Sequence, residues 1–141
     1  MAKIFWDTNL FIYLLENHPQ HASRVVAMRN TMNARGDQLL TTSMTVGEIL
    51  VKPVAEGRAD LEQRYIEFFR SGAVEVLPFT IEAATRFARI RQDRAIKPPD
   101  AIQLACAAAE GIDLFITNDD RLSEKVVAGV NFISSLERAP I

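Results

Sequence analysis

The chain has 141 residues, 48% hydrophobic and 24% charged, with a formal net charge of −2. Those values suit one compact domain, residues 1–141, whose core needs neither disulfides nor metals as staples. They exclude a disordered chain, a bilayer-spanning run and a protein that grips nucleic acid by net charge alone.

In chain order, the first apolar run is Ile4–Trp6, short enough for a buried strand, and it stops on Asp7. A helix beginning near Asn9 follows, then a second over His21 to Ala34, ended by Gly36. Gln38–Thr42 is the next strand. Thr45 to Ala55 is a helix bent or stopped near Pro53, and Ala59 to Arg70 is another, closed by Gly72. Val74–Pro78 is the third strand. Helices over Ile81 to Ala95 and Asp100 to Glu110 are separated by Pro98-Pro99, and the strands Leu114–Thr117 and Val130–Ile133 complete the pattern. Strands alternating with helices indicate parallel βαβ units. The expected fold is α/β, a three-layer sandwich around a central parallel sheet of four or five strands.

Four carboxylates stand out: Asp7 after the first strand, Glu48 just inside the helix after the second, Asp100 opening "DAIQLACAAAEG", and Asp119 after "LFIT". Each has a structural alternative. Asp7 can cap the helix near Asn9. Thr45 and Glu48 have the spacing of a capping box. Asp100 suits the positive end of its helix. Asp119 or Asp120 can cap the short helix around Leu122. Taken together, Asp7, Glu48 and Asp119 all follow strands, and a parallel sheet brings such points to its carboxyl edge. Asp100 has no strand immediately before it. Crowded carboxylates repel and raise one another's pKa, unless a hard dication such as Mg²⁺ or Mn²⁺ shares the pocket. Such an ion can orient a water, lower its pKa and stabilise a pentavalent phosphorus.

"DTNLFIYLL", "TSMTVGEIL" and "PPDAIQLACAAAEGIDLFITNDDRL" resemble the PIN-domain ribonucleases, in particular the VapC-like toxins of toxin–antitoxin pairs. The resemblance runs from near the N-terminus to about Leu122. It implies a PIN-like fold and a Mg²⁺- or Mn²⁺-dependent endoribonuclease that hydrolyses phosphodiesters in structured RNA. Asp7, Glu48, Asp100 and Asp119 would be its catalytic, metal-holding quartet, with Asn9 and Thr117 as polar supports. It further implies a cognate VapB-like antitoxin and a homodimer. Asp119 fits the family's T-x-D spacing, which leaves Asp120 as the helix cap.

Arg86, Arg89, Arg91, Arg94 and Lys97 form a basic stretch beside an acid-rich C-terminal part. At helical spacing, Ile81, Ala84, Ala88 and Ala95 form one face, and Arg86, Arg89, Arg94 and Lys97 project mainly from the other. That basic face is either simply solvated or a phosphate-contacting ridge for RNA. Arg91 falls near the alanines, where it either snorkels or reaches the acids' cleft. His18 and His21 are expected near the surface, and Cys106 as a small buried hydrophobe. The lone cysteine predicts a reducing, cytoplasmic setting, and no secretory leader pattern opens the chain. Trp6, Phe5, Phe115 and Phe132 are expected in the core. Adjacent Phe68 and Phe69 cannot both face inward, so one is expected at a dimer or antitoxin surface.

Two other readings remain open. A Mg²⁺-dependent phosphotransfer domain also places Asp after its first strand, although Asn9 stands where the dehalogenase type needs a second Asp. A non-catalytic RNA- or protein-binding module could keep the fold without the chemistry.

Overall fold

A computed structural model describes residues 1–141. Its elements in order are β1 (Lys3–Trp6), α1 (Thr8–Leu15), α2 (Ala22–Arg35), β2 (Gln38–Thr42), α3 (Ser43–Ala55), α4 (Ala59–Arg70), β3 (Glu75–Leu77), α5 (Ile81–Ile90), α6 (Pro98–Glu110), β4 (Ile112–Thr117), α7 (Asp120–Ser123) and β5 (Val130–Ser135). The five strands form one parallel sheet in the order β3-β2-β1-β4-β5, as the alternating pattern predicts.

Strand side chains alternate between faces, and this alternation builds two cores. Ile4, Trp6, Leu39, Leu114 and Ile116 pack on one face with Leu10 and Phe11 of α1, Val25, Met28 and Met32 of α2, Ile49 of α3, and Tyr65 and Phe69 of α4. Phe5, Leu40 and Phe115 pack on the other with α6, Ala83 of α5, and Leu122. Phe5 and Phe115 are register partners on β1 and β4, and their rings stack at 4.7 Å. Helices therefore cover both faces, giving three layers.

Several local expectations change. The helix after β2 begins at Ser43, two residues before the expected Thr45, so Thr45 lies inside it and the Thr45–Glu48 capping box does not form. Pro53 does not stop α3, which runs on to Ala55 without the hydrogen bond that Pro53 cannot donate. Helix α5 ends at Ile90 rather than Ala95. Pro98 and Pro99 open α6, where a missing N–H costs nothing. The buried side of α5 is Ala83 with Phe87 and Ile90, whereas Ile81 is 85% exposed. Alanines weigh little in burial, so the larger Phe87 and Ile90 set the helix rotation. Phe132 is exposed because β5 is an edge strand. Phe68 and Phe69 both lie against Phe11, at 6.5 and 5.3 Å between ring centres, so neither is left unpartnered. His18 and His21 are partly exposed and stack on each other at 5.0 Å beside Tyr13. Cys106 is buried, as expected.

Gly129, just before β5, has φ +95° and sits against α6. A Cβ there would stand 2.7 Å from the Ala108 carbonyl oxygen. Only glycine meets both conditions, so the β5 edge is seated by a missing side chain.

Candidate active site

The sheet order decides where the site lies. From β1 the chain crosses to β2 on one side, while from β4 it continues to β5 on the other. Adjacent strands whose continuations diverge leave a crevice at their carboxyl ends. Asp7 follows β1, and Asp119 closely follows β4, at this crevice. Glu48 stands on α3, which leaves the neighbouring β2, and Asp100 lies in the first turn of α6.

Asp7 is held from several directions. Its backbone N–H donates to the Ile116 carbonyl at 3.0 Å, extending the β1–β4 ladder by one step. Its side chain caps α1 by accepting from the Thr8 N–H at 2.8 Å, and its other oxygen accepts from the Thr117 hydroxyl at 2.9 Å. The structural reading of Asp7 as a cap is thus correct, yet capping engages only one of its oxygens. Burial pushes the Asp7 pKa upward. The Thr117 and Thr8 hydrogen bonds oppose that, the Glu48 charge adds to it, and the Gln103 amide opposes it weakly.

Asp100 carries the clearest signature of crowding. Burial first, then the charges of Asp7, Asp119 and Glu48, push it up to about 6, with Lys97 opposing. The charges of the other three acids thus all reach Asp100. The four are not in coordination contact: no three His, Cys, Asp or Glu side chains stand close enough to hold one ion together. Three of them are tied elsewhere, Asp7 as above. Glu48 accepts from the Thr8 hydroxyl at 2.6 Å. Asp119 accepts from the Arg121 N–H at 3.0 Å and pairs with its guanidinium at 3.7 Å. Asp119, not Asp120, is therefore the cap of α7, and Asp120 is its first helical residue. The donor type is nevertheless the one a hard dication selects, carboxylate oxygens.

Of the expected supports, Thr117 is fully buried and links two acids, donating to Asp7 and accepting from the Asp119 N–H at 3.1 Å. Asn9 is exposed on α1 and bonds none of the acids. Thr8, the residue before it, makes the contact to Glu48. A buried polar layer of Thr8, Thr41, Thr42, Thr45 and Gln103 lies beneath the acids, and the sequence reading missed it. Its one visible sign is a glutamine in the otherwise apolar, alanine-rich run from Ala101 to Ala109 of α6.

The basic stretch divides. Arg94 and Lys97 line a cleft of about 630 Å³ with Asp100, Asp119, Arg121 and Lys125. Arg86 and Arg89 line a separate hollow against Val126 and Val127. Arg91 does not reach the acids. It donates to the Ile96 carbonyl at 2.6 Å and closes the turn after α5.

A family model described as PIN domain matches residues 4–127. Among solved structures, a chain of VapBC2 from Rickettsia felis, bound to a DNA fragment from the promoter, matches with a TM-score of 0.74 at 15% identity, covering 94% of this chain and 97% of that one. A chain of VapBC-5, a toxin–antitoxin system of Mycobacterium tuberculosis, matches with a TM-score of 0.61 at 25% identity, covering 95% and 99%. VapC20 of the same organism, a sarcin-ricin loop cleaving toxin, matches with a TM-score of 0.65 at 17% identity, covering 88% and 97%. No curated protein matches significantly.

Proposed function

The chain belongs to the PIN-domain family, and from that membership we propose that it is a divalent-metal-dependent endoribonuclease, acting as one nuclease domain and as the toxin of a toxin–antitoxin pair. The observation that carries this reading is the crowding at the carboxyl edge. Asp100 is pushed up to about 6 by burial and by three other carboxylates, with only Lys97 opposing. Carboxylates held within one another's field in this way favour a cation among them.

In this reading Asp7, Asp100, Asp119 and Glu48 would hold Mg²⁺ or Mn²⁺. When bound, the ion supplies Lewis acidity toward a phosphate oxygen and lowers the pKa of water. The protein's own groups do the rest. Thr117 fixes Asp7 and Asp119 relative to each other by donating to one and accepting from the other. Arg94 and Lys97 give the wall beside Asp100 and Asp119 its positive charge, Arg121 and Lys125 being paired with Asp119 and Asp93, and that charge draws a polyanion past the acids. Single strands and loops of structured RNA fit an open cleft better than a regular duplex does. The partners in this reading are RNA, a VapB-like antitoxin and a second copy of the chain, meeting in the cytoplasm. Exposed Val51, Val54, Phe79 and Ile81 are apolar surface that the protein contacts can cover. No helix is long and apolar enough to cross a membrane.

The test is cleavage of structured RNA in Mg²⁺ or Mn²⁺, with end-labelling of the products. The expected result is cleavage leaving 5′-phosphates, lost on chelation and lost in Asp100→Asn with an unchanged circular dichroism spectrum. Cleavage that persists in the variant or under chelation overturns the reading.

A further inference from the structure

Gln103 is the one amide in the buried layer beneath the acids, and it is 1% exposed. It stands three residues after Asp100 on α6, so both project from one side of the helix. Its nitrogen lies 2.6 Å from the Thr45 hydroxyl oxygen and 3.2 Å from that of Thr8. Its carbonyl accepts from the Thr42 hydroxyl. One side chain thereby joins α1, β2, α3 and α6.

Counting protons fixes the direction of this network. A carboxylate only accepts, and a hydroxyl has one proton to give. The Thr8 proton therefore goes to Glu48, 2.6 Å away, and Thr8 can offer Gln103 only lone pairs. That requires the amide nitrogen, with its two protons, to face Thr8 and Thr45. The amide oxygen then faces Thr42, which must donate. Thr41 donates to Thr45 at 2.8 Å, so Thr45 meets the amide with its other lone pair and has its own proton for the Thr8 oxygen, 3.2 Å away. Both N–H groups of the amide and its carbonyl oxygen thus have a partner. Turning it over would set its oxygen against a Thr8 hydroxyl with no proton left to give.

We propose that Gln103 is a positioning residue for the cleavage reaction: its amide fixes the Thr8 hydroxyl, and Thr8 in turn holds the Glu48 carboxylate in place. Glu48 is exposed and sits on the surface of α3, so without Thr8 it is free to turn into solvent. The consequence for turnover rests on the nuclease reading, whereas the network itself does not.

The experiment compares Gln103→Leu, Thr8→Val, Thr8→Ser and the double variant Gln103→Leu/Thr8→Val. Gln103→Leu and Thr8→Val are each expected to lower kcat about 10- to 100-fold, the usual effect of removing an outer support of a metal-holding acid. KM for RNA should change less than about threefold in each, since neither residue lines the basic wall. Thr8→Ser keeps the hydroxyl and retains parental turnover. The double variant is no slower than Thr8→Val alone, because both changes release the same acid. A second readout needs neither metal nor RNA. In the metal-free protein, Glu48→Ala should shift the Gln103 side-chain amide signals in a ¹⁵N–¹H spectrum, because the Thr8 proton is released. Parental kcat in Gln103→Leu, fully multiplicative losses in the double variant, or unmoved amide signals would overturn the proposal. If Gln103→Leu does not fold, equal turnover of Thr8→Val and Thr8→Ser overturns it instead. A parent that cuts no RNA in Mg²⁺ or Mn²⁺ defeats the nuclease reading, while the spectral comparison still decides the network.

Discussion

Replacing Asp100 by asparagine should stabilise the metal-free protein while abolishing its RNA cleavage. The carboxyl is pushed from an ordinary 3.8 to about 6, by burial and then by Asp7, Asp119 and Glu48. A displacement of that size corresponds to about 3 kcal/mol opposing ionisation at neutral pH. Asp100 is partly exposed, and solvent screens the repulsion, so about 1–2 kcal/mol is the expected gain. The sign follows from proton binding. Between about pH 4 and 6 the folded protein holds the Asp100 proton more tightly than the unfolded chain does, so this group's contribution falls as pH rises through that range and is flat above about pH 7. Asparagine has no such dependence. Urea unfolding in a chelating buffer should show the variant more stable at pH 8, with the difference about halved at pH 5. Adding millimolar Mg²⁺ should reverse the order, because an ion bound only by the folded state stabilises the parent more. A variant that is equally or less stable than the parent at pH 8 without metal would refute the claim that the acids repel one another here.

Thr117→Val removes the donor to Asp7 and the acceptor for the Asp119 N–H. It should cost about 1–2 kcal/mol of stability and slow cleavage at least about tenfold, with Thr117→Ser restoring both; parental kcat in the valine variant would contradict the linking role. Arg94→Ala combined with Lys97→Ala should raise KM for RNA and flatten its dependence on salt, whereas Arg89→Ala, in the separate hollow, should do neither; equal effects would mean that the whole basic face binds RNA. Gly129→Ala forces a Cβ to within 2.7 Å of the Ala108 oxygen at φ +95°, and thermal or urea unfolding should show a loss of about 2–4 kcal/mol with unchanged activity per folded molecule.

The residues that were legible in the sequence are those whose signal is local. Strand-length runs such as Ile4–Trp6 and Leu114–Thr117 carry their own period, and an acid at the end of such a run is visible without knowing its neighbours. The features misread depend on weak or cooperative preferences. The start of α3 at Ser43 follows from Thr42 ending β2 directly, so Thr45 became a buried helical residue instead of a cap. The face of Ile81, Ala84, Ala88 and Ala95 offers little area to bury beyond Ile81, and α5 instead turns Ala83, Phe87 and Ile90 to the core. The choice between Asp119 and Asp120 as cap of α7 hinged on a single dihedral, which neighbouring acids do not reveal.

The sequence by itself determined the parallel α/β pattern and the placing of Asp7, Glu48 and Asp119 just beyond strands, because alternation, helix starts and side-chain charge are written residue by residue. Only the tertiary structure decided that β1 lies between β2 and β4, that Asp100 comes within the field of the other three acids, and that Gln103 meets Thr8 and Thr45 across 95 and 58 positions of chain. Those meetings depend on the order of strands and the seating of α6 on the sheet. Packing of the whole core sets both, and no local stretch encodes either.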